Sequence, residues 1–180
     1  MKKEGNDEQE TGEATIPQNH EEVNVNEITV PSTRIGTYDS RAIGMVFGNS
    51  VECTEFLADC KAQMTEAKAA KNDSRIRQIE KKRDAFQVLA HLRGFSVGSV
   101  AEVLEKHKVE VDSVAREAGV RVIVSKFELI PTGSGADVVD VTLPLARIFK
   151  PSEQQLKWIS QLQDHPPLPM LDALLIPAEE

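Results

Sequence analysis

Aromatic side chains are scarce in this 180-residue chain: one Trp, one Tyr and six Phe make up 4% of it. Any core must therefore be assembled from aliphatic side chains, which the 40% hydrophobic content can supply at modest size. Cysteine is nearly absent too. Cys53 and Cys60 lie seven apart on a segment of helical pattern, which puts their Cα atoms about 10 Å apart at ~1.5 Å rise per residue, beyond the reach of a disulfide. Both read as buried thiols. The four His are dispersed, with no CxxC, no Cys/His cluster and no His pair at i, i+4, so no metal site is expected. No window approaches the ~18 apolar residues of a transmembrane helix, and no integral membrane segment is expected. "MKK" is not followed by the apolar run of a secretory signal. That reads as a cytoplasmic chain, or a periplasmic one if the sequence is a processed form. Cationic excess is missing as well: 21 Lys and Arg face 29 Asp and Glu, a formal charge of −8, which argues against a nucleic-acid partner.

The negative charge is unevenly placed. Residues 1–33 hold eight acids (Glu4, Asp7, Glu8, Glu10, Glu13, Glu21, Glu22, Glu27) against Lys2 and Lys3, so six of the eight excess charges fall there and the remainder is near neutral. Residues 1–32 lack both periodicities and enough apolar content to offset chain entropy, and are expected to be a disordered acidic tail.

Order is expected to begin with a short strand over 34–38, followed by Asp39 and Ser40 as helix-capping residues. Helical spacing of Ile43, Val46, Phe47, Phe56, Leu57, Cys60 and Met64 predicts a helix from Arg41 to about Lys71, with Gly44, Gly48 and Asn49 as places for a kink. "KNDSR" is a turn signal. A second helix, "RIRQIEKKRDAFQVLAHLRG", carries Ile76, Ile79, Phe86, Leu89 and Leu92 on one face. The two are expected to form an antiparallel hairpin projecting into solvent. "SVAEVLEKHKVEVDSVAREAG" opens on a Ser99/Glu102 capping box and ends at Gly119, a natural helix terminator. "VRVIVS" reads as a strand that "KFELI" extends or pairs with, "PTGSG" as a turn, and "DVVDV" as a third strand leading into a helix capped by Thr142 with Pro144 in its first turn. Val122, Ile123, Val124, Val139 and Val141 offer the densest β-branched surface and are expected to hold the core. Ser152 and Gln155 form a second capping box, and "DHPPLPMLDALLIPAEE" reads as an extended end.

None of the candidate chemical motifs gathers support. Asp137 and Asp140 differ by an odd number of residues along a strand, so they would point to opposite faces, whereas a working carboxylate pair needs one face. Asp140 with Thr142 reads as a strand-to-helix junction. "PTGSGAD" lacks the Lys of a phosphate loop, and Ser40 and Ser134 have no neighbouring His in sequence. "SRIRQIEKKR" is interleaved with Glu80 and Asp84 and reads as a solvated helix face, and "PPLP" as a stiff chain end. No catalytic residue, cofactor site or metal site is assigned.

The order strand, long helical hairpin, helix, strand pair, "DVT" and short helix resembles the Skp (OmpH-like) family of outer-membrane-protein chaperones. "AREAGVRVIVSKFELIPTGSGADVVDVTLPLARIF", residues 115–149, carries most of the likeness, and "IGTYDSRAIGMVF" occupies the place of the family's first strand and helix. The resemblance covers residues 33–150, with a helical arm over about 40–93, and leaves 151–180 as a C-terminal helix and Pro-rich tail. It implies an α+β fold: a small β-body of three to four strands with a projecting antiparallel helical hairpin of about 40–50 Å. It further implies a homo-oligomer, a trimer if the family architecture holds, whose partners are unfolded or apolar protein segments. The chain is acidic where that family is basic, and its arm is shorter. The expected function is a chaperone-like protein that holds apolar segments of other chains without chemistry of its own; the alternative is a structural adaptor self-associating through its hairpin. Ile76, Ile79, Phe86, Leu89 and Leu92 are the expected client or oligomer surface.

Overall fold

In a computed structural model of the chain, the described residues are 34–130, 137–162 and 164–177. The expected acidic tail and the "PTGSG" turn with Ser134 lie outside them. The described part mixes helix with one small sheet. Strand β1 (Ile35–Tyr38) is central, flanked by β2 (Val122–Ser125) and β3 (Val138–Asp140), and both pairings are parallel. Ile35 faces Val122 on one side and Val138 on the other. Parallel neighbours cannot be joined by a tight hairpin. The chain accordingly spends residues 39–121 between β1 and β2.

Helix α1 (Ser40–Gly48) starts where expected, with the Asp39 carboxylate accepting from the Arg41 N–H at 2.9 Å. Seven of its nine residues are buried. Gly44 is obligatory for this depth, because a Cβ there would sit 2.5 Å from the Arg93 carbonyl oxygen. The single helix expected from Arg41 to Lys71 is in fact two. The α1 ladder ends at Gly48, and Ser50 caps a new helix, α2 (Val51–Ala69), by accepting from the Cys53 N–H at 3.2 Å. The expected arm of residues 40–93 therefore loses its first turns to the core.

A three-residue link joins α2 to α3 (Asp73–Phe95). Its closure is a Schellman motif built without glycine: Lys71 N–H donates to the Lys68 carbonyl (3.1 Å), Asn72 N–H to the Ala67 carbonyl (2.9 Å), and Lys71 takes φ +50°. Asn72 then caps α3 through the Arg75 N–H at 3.0 Å. At ~1.5 Å per residue, α2 and α3 are about 29 and 35 Å long, short of the expected 40–50 Å.

The expected helix from Ser99 is also two, α4 (Ala101–Lys106) and α5 (Lys108–Ala118), broken at His107. The Ser99/Glu102 box does not form, because Glu102 turns to the Arg93 guanidinium and the Ser99 hydroxyl reaches only the Ala101 N–H at 3.3 Å. "KFELI" does not continue the sheet. Its Lys126 N–H still donates to the Tyr38 carbonyl at 2.8 Å, but the chain then turns, with Glu128 N–H on the Ser125 carbonyl. After β3, the Asp140 carboxylate accepts the Thr142 N–H at 2.8 Å at the start of α6 (Thr142–Arg147); Thr142, expected as the cap, is the first helical residue, and its hydroxyl accepts the Asp39 N–H at 3.0 Å instead. Ser152 and Gln155 cap α7 (Glu153–Leu162) reciprocally, as expected. The end expected to be extended contains α8 (Met170–Leu174).

The core lies around α1 rather than at the strands. Ile43, Val46, Val100, Val103, Val141 and Leu145 are its most completely buried large side chains. Of the strand cluster expected to hold it, only Val141 belongs to that set. Ile123 and Val139 pack at its margin, while Val122 is 47% exposed, because β2 and β3 are both edge strands. Ile159 of α7 joins the same core, so residue 150 is not a packing boundary.

Two predictions follow from this layout. Ile43→Ala and Leu145→Ala should each cost about 2–5 kcal/mol in urea unfolding, and Val122→Ala within about 0.5 kcal/mol of nothing. Lys71→Gly should raise the melting temperature, since a left-handed non-glycine residue costs roughly 1–2 kcal/mol; a fall would place the strain elsewhere.

Candidate functional site

Side chains of functional interest gather in two places, the C-terminal end of the sheet and the surface shared by α2 and α3. At the sheet end, Asp39 follows β1 and Lys126 follows β2. The Asp39 carboxylate pairs with the Arg41 guanidinium at 2.7 Å and with the Lys126 ammonium at 2.8 Å, and Asp39 and Arg41 are both 4% exposed at the side chain. Burial alone would raise the Asp39 pKa, but the hydrogen bonds and positive charges of Arg41 and Lys126 together outweigh it, and the carboxyl is held below its ordinary range. Arg41 spends its other N–H groups on the carbonyls of Leu162 (2.9 Å) and His165 (2.8 Å), at the end of α7. Both cations also lie over the Phe127 ring, at 5.3 and 5.1 Å. Every polar atom in this cluster already has a partner, which suits a structural clamp.

The two aspartates of "GADVVDV" are not brought together. Asp137 pairs with Arg34 at 2.6 Å near the surface, and Asp140 serves the Thr142 N–H. Ser40 is buried, and its hydroxyl has no hydrogen-bond partner among the described residues. His91 packs against Phe95 and His107 against Phe149, away from any serine–base pairing. Burial, reinforced by the Glu52 charge, pushes the Cys53 thiol up, which makes it a poor nucleophile at neutral pH. Among the described residues no three His, Cys, Asp or Glu side chains converge as metal ligands would, and no helix is long and apolar enough to cross a membrane.

The α2–α3 surface is different in character. Ile79 is buried against Cys60 and Ala67, with Ile76, Met64 and Phe56 half-buried around it, and Phe86 meets Phe56 at 4.5 Å between ring centroids. Ile76, Ile79 and Phe86 thus face α2. Leu89 instead lines a hollow of about 180 Å³ with Phe47, Phe56 and Val103, on the side of the body. Leu92 is half-buried, its carbonyl accepting from Ser96 and Gly98. The five residues expected to form one surface therefore divide between the seam and the body.

Sequence reading named Leu57, Cys60, Met64, Ile79 and Phe86, but not the hollows that they line together with Cys53, Arg83 and Ala90. Two hollows of about 330 Å³ each lie along the seam, one lined by Cys53, Leu57, Phe86 and Ala90, the next by Cys60, Met64 and Ile79, and they share Leu57 and Arg83. The available signal was the repeat 53, 57, 60, 64 on α2 against 79, 83, 86, 90 on α3, each at i, i+4, i+7, i+11. Arg83 falls in the apolar ladder and hides it.

Comparison of the chain with protein-family models, with curated proteins and with solved structures returned no match.

The clamp carries a pH signature. A carboxyl whose folded pKa is depressed contributes stability that is present above its unfolded pKa near ~3.9 and lost as pH falls through the folded value. Asp39→Asn leaves Arg41 buried with its charge unmatched and should cost about 3–5 kcal/mol near pH 7. The gap between wild type and Asp39→Asn should narrow as pH drops below about 4, measured by urea unfolding; a gap independent of pH would mean that the carboxylate charge is not what the clamp uses.

Proposed function

We infer that this chain is a holding protein: its α2–α3 pair forms an antiparallel arm that takes up apolar segments of other polypeptides, while the remainder is a rigid base without chemistry of its own. One observation carries the reading. Helices of 19 and 23 residues bury only three and two side chains respectively within the protomer. Helices draw most of their stability from packing an apolar face, and these two leave Val51, Leu57 and Val88 at 73%, 45% and 41% exposure. A surface left so open is suited to being covered by something else.

The small sheet supports an oligomeric base in the same reading. Its two edge strands are four and three residues long, with Val122 and Val138 exposed on them, and open edges are places where copies can add to one another. An arm on such a base resembles the arrangement of Skp-type chaperones, in which several arms surround a client. The relative lack of cationic charge distinguishes this chain and suggests capture that depends mainly on apolar contact.

Light scattering on a sizing column tests the base, and turbidity of a heat-unfolding client protein tests the arm. An oligomer that suppresses turbidity at near-stoichiometric amounts is expected, with Leu57→Glu reducing suppression while leaving the mass unchanged. An oligomer without any effect on turbidity would favour the adaptor reading, in which α2–α3 serves self-association; a monomer without effect would overturn the holding function.

A further inference from the structure

The two hollows on the α2–α3 seam adjoin at Leu57 and Arg83, which line both, and together they are read as one groove. Its lining on α2 runs from Cys53 to Lys68, a span of sixteen residues or about 22 Å of helix. The floor is apolar. The charged lining residues are Lys61, Lys68 and Arg83, and no acidic residue lines either hollow. Arg83 has one carboxylate partner among the described residues, its chain neighbour Asp84 at 3.1 Å, and both are about half exposed, so that pair is weak.

We propose that this groove is a helix-in-groove docking site for an acidic amphipathic helix of about four turns in a partner chain, apolar on one face and flanked by Asp or Glu that meet Lys61, Lys68 and Arg83. The inference rests on the holding function above and names the class of segment held. Walls made of two helices have their backbone N–H and C=O groups spent internally, so an extended peptide would find no ladder to join, whereas a helix arrives with its own backbone satisfied. The groove length matches three to four helical turns, enough for apolar anchors at i, i+4, i+7 and i+11. A second copy docking seam to seam would repeat the same patch on both sides and bring two linings whose only charges are Lys61, Lys68 and Arg83 against each other. Like charge on both faces disfavours that contact, and an acidic helix relieves it.

The test uses two synthetic peptides of about 16 residues with an identical leucine face, one flanked by Glu and the other by Lys, followed by fluorescence anisotropy against the full chain. The Glu peptide should bind about three- to tenfold more tightly at low ionic strength, a difference typical of a few exposed ion pairs, and the preference should fade toward unity at about 0.5 M salt. Lys61→Glu/Lys68→Glu/Arg83→Glu should reverse the preference; all three side chains are exposed, and a melting curve like the wild type's checks that the variant folds. Equal binding of both peptides, or a preference for the Lys peptide, would overturn the charge assignment. Failure to bind either peptide while client turbidity is still suppressed would overturn the groove and leave the holding function standing. Failure of both assays would overturn both.

Discussion

The buried pairing of Asp39 with Arg41 and Lys126 is the interaction on which the rest of the body depends. It joins three elements that sequence places far apart: the end of β1, the turn after β2, and, through the Arg41 guanidinium, the carbonyls that close α7. A charge at 4% exposure is tolerable only if its partners stay in place, and removing one leaves the other costly. The clamp therefore fixes register. With β1 and β2 held at their C-terminal ends, α1 enters at a set angle, and Gly44 lets it press onto the Arg93 backbone. Arg93 in turn takes the Ser99 carbonyl at 2.9 Å and Glu102, whose carboxyl this arginine holds below its ordinary range. The α1–α3 crossing is thereby tied to α4.

This concentration of contacts has a consequence for α2 and α3. The base of α3 is locked by α1 and by the segment leading into α8, where Leu168 N–H donates to the Phe95 carbonyl and the Ser96 hydroxyl to the Leu168 carbonyl. Among the described residues nothing comparable holds the far half of the pair. There the packing reduces to Cys60, Ala67 and Ile79 with a few half-buried neighbours, and one Arg75–Gln63 hydrogen bond. A tightly determined base and a thinly packed extension make local stability unequal, and the surface proposed for binding falls at the low end.

Much of this was legible in the sequence where the signal is local. The Asp39 and Ser152 caps, the turn at Asn72, the Gly119 terminus and the Asp140–Thr142 junction all follow from short side chains beside backbone N–H groups, and each is found where that chemistry puts it. Longer-range features were hidden. Glu102 looks like a capping partner of Ser99 until Arg93 arrives from nine residues upstream. The β-branched run at Val122 looks like a core strand, but its place at a sheet edge is set by pairing with β1, which sequence pattern does not reveal. Arg41 reads only as the start of a helix, and its burial depends on Asp39, Lys126 and α7 converging. The groove was hidden for a similar reason, since Arg83 interrupts an apolar ladder that only the pairing of two helices makes visible.

Amide hydrogen exchange resolved by residue, with and without a permanently unfolded polypeptide such as reduced, carboxymethylated α-lactalbumin, tests the account most directly. In the free protein, amides of α1, β1 and α6 should exchange near the rate of global unfolding, and those of residues 57–83 orders of magnitude faster. Adding the unfolded chain should slow residues 57–83 and leave α1, β1 and α6 unchanged. Uniform protection across body and α2–α3, or slowing confined to the body, would contradict it.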